Sequence, residues 1–335
     1  MMGVGECADS DGFEISRDLK VAVLTGGVSR ERDVSLESGS CVAQALRDAG
    51  LEVVVSDIRP DNLGILEDDS IDVFFIALHG EFGEDGRLQR ILENRRLIYT
   101  GSGPEASRLA FDKIAGKRAF TEAGVPTPAA IEFASDADGR DLEKQLKSLA
   151  GRYVVKPLRQ GSTIGVSIVD DVAAAVETAH RCREEFGDCM VEQYIAGREL
   201  SVGMLGELSL PVVEIRAEGG FYDYHAKYLD DNTEYLFDTI DSEKLVADIH
   251  RAARACFNAL QCRHFGRVDF ILDGDGVPYA LEVNTIPGLT GHSLLPMAAA
   301  KIGLSMSGLC LEVVKMATKD QRPEQMVNPA VDNRE

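Results

Sequence analysis

The sequence predicts an α/β domain with a doubly wound parallel sheet, followed by α+β domains built on further sheets. Three observations carry that prediction. From Lys20 onward, short β-branched runs alternate with helical patterns, which is the βαβ signature. Those runs are apolar throughout, as strands covered on both faces must be. Past residue 114 the strands alternate in polarity instead, and they are separated by Gly-rich loops.

In order, the first domain reads as VAVLTGG, a helix over residues 33–49, EVVVSDI, DVFFIALHG, a helix over 86–94, and a last strand RLIYTGS. A helical stretch after Lys113 stops at the breaker GVPTP. YVVKP, the loop RQGSTIG and the next run then read as strand, loop, strand. A helix over 171–186 leads into CMVEQYIAG, and ELSVGML and PVVEIRA read as strands of a mixed sheet. An aromatic, charged segment (FYDYHAKYLDDNTEY) follows, then a helix over 242–260, a hairpin and a single final helix over 297–316. The expected division is 18–113, 114–197 and 198–318, with polar tails at 1–17 and 319–335.

A length of 335 residues suits two or three domains, with 44% hydrophobic and 27% charged residues close to the globular average. The net charge of −21 repels nucleic-acid backbones and anionic lipid, so neither is an expected partner. An anionic substrate then needs local cations. The 7 cysteines are scattered without a zinc-type spacing, and Cys262 with His264 makes at most half a metal site. The acidic N-terminal segment lacks an apolar run, and no stretch approaches about 18 apolar residues, so a cytoplasmic location is expected.

The strongest chemical signal is GRVDFILDGDGVPYALEVN, two strands joined by a DGDG turn. A turn centred between Asp275 and Gly276 sets Asp269 opposite Glu282 and Arg267 opposite Asn284, all on one face. Facing carboxylates repel unless a cation or proton lies between them, and a hard dication such as Mg2+ resolves that conflict with oxygen ligands. From geometry alone, a metal site and a solvated polar face both remain open. TGGVSRERD offers a generic anion site. GSGPEA follows the last strand of its domain, the wrong place for a dinucleotide fingerprint. GSTIG, just after the strand carrying Lys156, reads either as a loop closing over phosphates or as a plain turn. Lys113 and Lys227 gain interest only from their company, His79 ends a buried strand, and residues 221–235 read as a lid or a surface excursion. No P-loop and no GxSxG elbow is present.

Taken in order, LTGGVSRERDVSLESG, FIALHGEFGEDGRLQ, YTGSG, FDK, VVKPLRQGSTIGVS, FYDYHAKY, GRVDF and EVNTIPGLTGHSL resemble the D-alanine:D-alanine ligase family of the ATP-grasp superfamily, from about residue 20 to 315. The resemblance implies an ATP-grasp fold preceded by a Rossmann-like domain. It implies ATP and two Mg2+ (or Mn2+) held by Asp269, Glu282 and Asn284, and a homodimer. It places Lys113 and Lys156 on phosphates. Glu192 and the Ile195 backbone fall on adenine, Glu199 on ribose, and Phe221 among the nucleotide contacts. It puts Glu31 on the first D-alanine's ammonium with His79 nearby, and Ser293, Leu294 and Lys227 at the second substrate. Arg267 and the Gly288 amide fall at the oxyanion, while Ser162 and Tyr228 complete a lid-locking triad with Glu31. Two departures stand out: Gln193 in place of a lysine, and LFDTIDSEK without a proline-alanine pair. Competing readings are D-serine or D-lactate as second substrate, a non-catalytic nucleotide-binding protein, and a dinucleotide-dependent oxidoreductase.

Overall fold

A computed structural model describes residues 19–320 apart from 135, 136, 138, 150 and 218–232. The first sheet is parallel, in the order β2-β1-β3, from β1 (Lys20–Gly26), β2 (Glu52–Ile58) and β3 (Val73–Ile76). Helix α1 (Arg32–Asp48) buries Val34, Ser38, Val42 and Leu46. That spacing follows the 3.6-residue period of one helical face. The expected last strand, RLIYTGS, is a single parallel bridge from Tyr99 to Phe74. The ladder ends there because the Thr100 hydroxyl takes the Ile76 amide at 3.1 Å and Gly101 turns the chain at φ +89°. Helices α2 (Arg87–Asn94), α3 (Pro104–Phe111) and α4 (Lys113–Glu122) follow, the last capped by the Asp112 carboxylate on the Ala115 amide.

The second sheet is antiparallel, in the order β4-β7-β5-β6, from β4 (Ala130–Phe133), β5 (Tyr153–Pro157), β6 (Ser167–Val169) and β7 (Cys189–Gln193). Helices α5 (Gly139–Leu146) and α6 (Val172–Phe186) cover it through Leu142, Leu146, Ala175 and Ala179. The chain changes sheets between Gln193 and Gly197. The third sheet runs β11-β10-β8-β12-β13, with β9 added on β8. Its strands are β8 (Gly197–Leu205), β9 (Leu208–Ser209), β10 (Val213–Arg216), β11 (Glu234–Leu236), β12 (Phe265–Asp273) and β13 (Pro278–Asn284). Every pairing in it is antiparallel, a correction to the mixed sheet expected. A connection as short as Gly206–Glu207 permits no parallel neighbour. Helix α7 (Glu243–Ala259), capped by Ser242, packs Ile249, Ala253 and Phe257 onto this sheet.

The expected final helix is two helices, α8 (Leu294–Lys301) and α9 (Met306–Asp320), bent by 103°. Gly303 at φ +84° and the 3.0 Å bond from the Leu304 amide to the Ala299 carbonyl close α8 in a Schellman arrangement. No single helix among the described residues is long and apolar enough to cross a membrane. The first of these helices packs on β8 of the third sheet, and the second on α1 and on β3 of the first sheet. Val21, Val42, Phe75, Phe265, Leu295, Leu309 and Val313 form one core. His264 reinforces the junction, taking the Gly101 amide on Nδ1 at 3.0 Å and pairing Nε2 with Asp320 at 2.9 Å. Those bonds engage both ring nitrogens of His264 and the Gly101 amide of the GSGPEA loop.

Gly86 opens α2 at φ +88°, and a Cβ there would lie 2.2 Å from the Pro104 carbonyl oxygen. Gly86→Ala is therefore expected to lose about 1–3 kcal/mol of unfolding free energy in a denaturant titration; an unchanged midpoint contradicts the assignment.

Candidate active site

A cleft of about 530 Å³ lies between the second and third sheets. Lys113, Lys156, Glu192, Ile195, Glu199, Asp269 and Glu282 line it, so seven of the residues singled out from sequence meet there. Asn284 lines an adjoining recess with Glu84, Lys113, Gly161 and Glu282.

The β12–β13 hairpin sets the polar end. Asp269 faces Glu282 and Arg267 faces Asn284, as expected, although the turn sits elsewhere. Asp273 pairs with Val277, which centres the turn on Asp275, with Gly276 at φ +80°. An unbroken ladder from that turn would put Leu281 opposite Asp269. The register shift between Asp269 and Phe270 makes Leu281 a bulge and returns Glu282 to the position. Asp269 accepts from Arg267 Nε and Nη2 at 2.9 and 2.7 Å and from Ser201 Oγ at 2.8 Å. Glu282 lies 3.2 Å from Lys113 Nζ, which also donates to the Gln160 carbonyl at 2.7 Å. Each facing carboxylate thus has its own cation. With Asn284 the donors are all oxygen on one face, the chemistry a hard dication takes, and the residues fit Mg2+. No cluster of three His, Cys, Asp or Glu suited to a metal occurs among the described residues, so the amide of Asn284 is needed to complete such a set.

At the other end, Glu192 is buried with one lysine on each oxygen, Lys156 at 2.6 Å and Lys117 at 2.7 Å. Burial opposes its charge, yet the two ammonium groups hold the carboxylate below its ordinary range. Burial pulls Lys117 down to about 8 against the attraction of Glu192. Lys117 also donates to Thr127 Oγ1 at 2.8 Å and the Pro128 carbonyl at 3.0 Å. Sequence reasoning missed Lys117, although it stands four residues after Lys113 on the same helix face.

Where the first sheet meets the cleft, Ser162 Oγ donates to Glu31. Ser162 and Thr163 sit at φ +52° and +59°, backbone strain held by the packed loop. A Cβ at Gly80 or Gly161 would come within 2.7 or 2.8 Å of the Glu31 carboxylate, so both backbones close directly on it. His79 is buried, with Nδ1 against the Ile286 carbonyl at 2.9 Å and Nε2 against Ser38 Oγ at 3.0 Å. Glu84 is also buried. Burial, then Glu31 and Glu282, push its carboxyl well above the usual range, and it accepts the Gly80 amide at 2.6 Å. Its place in HGEFGEDG, close after His79, was the available signal. Ser293 Oγ takes the Thr290 amide at 3.0 Å, Leu294 is buried behind it, and Gly288 packs against the Ser293 hydroxyl. Phe221, Lys227 and Tyr228 lie outside the described residues. In the TGGVSRERD loop the Gly26 amide donates to Ser35 Oγ and the Arg32 side chain to Asp57.

Removing one partner of a buried ion pair strands the other charge. Lys117→Met should therefore cost about 3–5 kcal/mol of unfolding free energy; a loss below about 1 kcal/mol, typical of exposed pairs, would contradict the burial argument.

Profiles described as D-ala D-ala ligase C-terminus and D-ala D-ala ligase N-terminus match residues 120–315 and 62–102. The chain is 43% identical over 304 residues to a D-alanine--D-alanine ligase of Bordetella avium, covering 89% of this chain and 95% of that protein. The crystal structure of a D-alanine--D-alanine ligase from Bacillus anthracis superposes with a TM-score of 0.80 at 32% identity, covering 91% of this chain and 99% of that one. The same enzyme complexed with ATP gives 0.79 at 30% identity over the same shares. With that identity across nearly its whole folded length, and with the profile match over residues 120–315, the chain belongs to the D-alanine–D-alanine ligase family.

Proposed function

We propose that this chain joins two D-alanine molecules into D-alanyl-D-alanine through a D-alanyl phosphate, with ATP converted to ADP and phosphate. The carrying observation is one cleft in which Asp269 faces Glu282 between Arg267 and Lys113, with Lys156 and Glu192 at the far end. The reading assigns the product to peptidoglycan precursor synthesis, hence cell-wall biogenesis and cell shape, in the cytoplasm, by a homodimer. It divides the chain into lobes at 18–113, 114–197 and 198–318, with ATP between the second and third.

In this reading Glu192 accepts from the adenine amino group, beside the backbone of Ile195. Glu199 holds the ribose and Phe221 adds a further nucleotide contact. Lys113 and Lys156 face the phosphates and supply the local cations that a chain of net charge −21 needs. Asp269, Glu282 and Asn284 would hold two Mg2+ or Mn2+, which spread phosphate charge when bound. Glu31 takes the ammonium of the first D-alanine, with His79 beside it, and leaves the carboxylate free to attack the γ-phosphate in line. Ser293, Leu294 and Lys227 position the second D-alanine so that its amine attacks the acyl phosphate. Arg267 and the Gly288 amide stabilise the oxyanion that results. Ser162, Tyr228 and Glu31 keep the cover closed and water out.

The test is phosphate release from Mg-ATP with D-alanine, L-alanine, or D-alanine plus D-serine or D-lactate, with products identified by mass. D-alanine alone is expected to yield the dipeptide and one phosphate. Release only with D-serine or D-lactate present would reassign the second substrate, and no release with ATP still bound would mark a binding protein. Arg267→Ala should lower turnover by about 10²–10³, and an unchanged turnover removes Arg267 from the oxyanion. The Lys117 charge is present below pH about 8 and lost above it. The KM for ATP should therefore rise as pH climbs through 8, and this rise should be absent in Lys117→Met. A flat wild-type profile contradicts it.

A further inference from the structure

The loop Ile286–Pro287–Gly288–Leu289 is tied to the first lobe at both ends by one pair of buried side chains. His79 Nδ1 lies 2.9 Å from the Ile286 carbonyl, and since a carbonyl only accepts, Nδ1 carries the proton. Burial disfavours the imidazolium, so Nε2 is the acceptor and takes the Ser38 hydroxyl proton at 3.0 Å. The same Ser38 oxygen accepts the Leu289 amide at 3.2 Å. Ser38 is fully buried on the inner face of α1. A helical serine ordinarily turns its hydroxyl back to the preceding turn or to water. Here it reaches out of its helix, across to residues of the third lobe.

Between the two ties stand Pro287, with its φ locked by the ring, and Gly288. Among the described residues the Gly288 amide has no hydrogen-bond partner. A Cβ at 288 would lie 2.7 Å from Ser293 Oγ, so the loop is folded tightly onto the second-substrate side. Asn284 Oδ1 accepts the Ile286 amide at 3.2 Å and holds the loop's entry. An oxyanion donor is effective only where the charge develops, and a misplacement of about 1 Å costs of the order of 10² in rate.

We propose that Ser38 is a positioning residue for the second half-reaction: with His79 it clamps Ile286 and Leu289 so that the Gly288 amide meets the developing oxyanion. Ser38 touches no substrate. Its effect passes through the loop, so it bears on capture of the acyl phosphate by the second amine more than on ATP binding. When the loop slips, the acyl phosphate waits longer and water takes it, releasing phosphate and free D-alanine without a dipeptide.

The inference rests on the ligase reading, and the test separates the two with paired readouts on the full chain. In Ser38→Ala, dipeptide turnover should fall about 10- to 100-fold, with the KM for ATP unchanged within about twofold. The ratio of dipeptide to phosphate should drop below that of the parent. His79→Asn keeps a donor toward Ile286 but removes the acceptor for Ser38, and should lower the same ratio. The double variant should do no worse than the more damaging single one, as expected of residues acting as a unit. Hydrogen exchange gives a readout independent of activity: the Leu289 amide should exchange at least about tenfold faster in Ser38→Ala, while the core of α1 stays protected. A parental ratio together with parental exchange at Leu289 overturns the clamp. Equal losses in every constant, with α1 exchange raised as well, overturn it in favour of a general packing role. A parent chain that makes no dipeptide overturns the ligase reading instead, and the Leu289 exchange still decides the clamp.

Discussion

Two carboxylates placed face to face across a hairpin are the constraint around which this molecule is arranged. Directly opposed side chains with Cβ atoms about 5 Å apart repel by about 3 kcal/mol at an effective dielectric of about 20. A stable protein does not carry that without compensation. Asp269 is compensated by Arg267 and the Ser201 hydroxyl, and Glu282 by Lys113. Lys113 comes from α4, so the charge balance of the third sheet draws in the helix that leads to the second. The two sheets meet over the cleft for this electrostatic reason as well as for packing.

The far end of the cleft shows the same logic with reversed sign. Glu192 alone in that wall would cost several kcal/mol, and two lysines make the cluster net positive. Lys156 and Lys113 thus bring positive charge to the cleft, although the whole chain repels anions. The first lobe is joined to this apparatus differently. A common apolar core with α8 and α9, and the His264 bridge to Gly101 and Asp320, fix it to the third lobe. Gly80, Gly161 and the Ser162 hydroxyl can then close on Glu31 with little slack.

Much of this was legible from residue patterns, and the exceptions are physical. YVVKP became a strand over those residues because burial leaves a continuous apolar run with sharp ends. EVVVSDI, in contrast, is the edge strand of the first sheet with Val55 exposed, so its β-branched run reflects strand propensity and not the cover on both faces that was expected. The pairing of Asp269 with Glu282 was read correctly from a turn misplaced by half a residue, because the bulge at Leu281 cancelled the error. Bulges have no local signature, so that step was not readable. RLIYTGS kept its buried Tyr99 but lost its ladder to the Thr100 hydroxyl, a tertiary choice that propensity does not see. The break at Gly303 was readable, since glycine just past a helical turn is the usual stop. Lys117 and Ser38 were missed because what they do depends on buried partners distant in sequence, Glu192 and Leu289. Glu84 was missed although its neighbours His79 and Gly80 are close in sequence, because its burial beside Glu31 is a tertiary outcome. Phe221, Lys227 and Tyr228 rest on family resemblance alone.

The most direct measurement is a calorimetric titration of ATP into the protein in Mg2+ and in a metal-free buffer with chelator, repeated with Glu282→Gln. If the facing carboxylates exist to share a dication with nucleotide phosphates, binding is tight in Mg2+, at least about tenfold weaker without it, and much less metal-dependent in the variant. Equal ATP affinity with and without the metal would contradict the account at its centre.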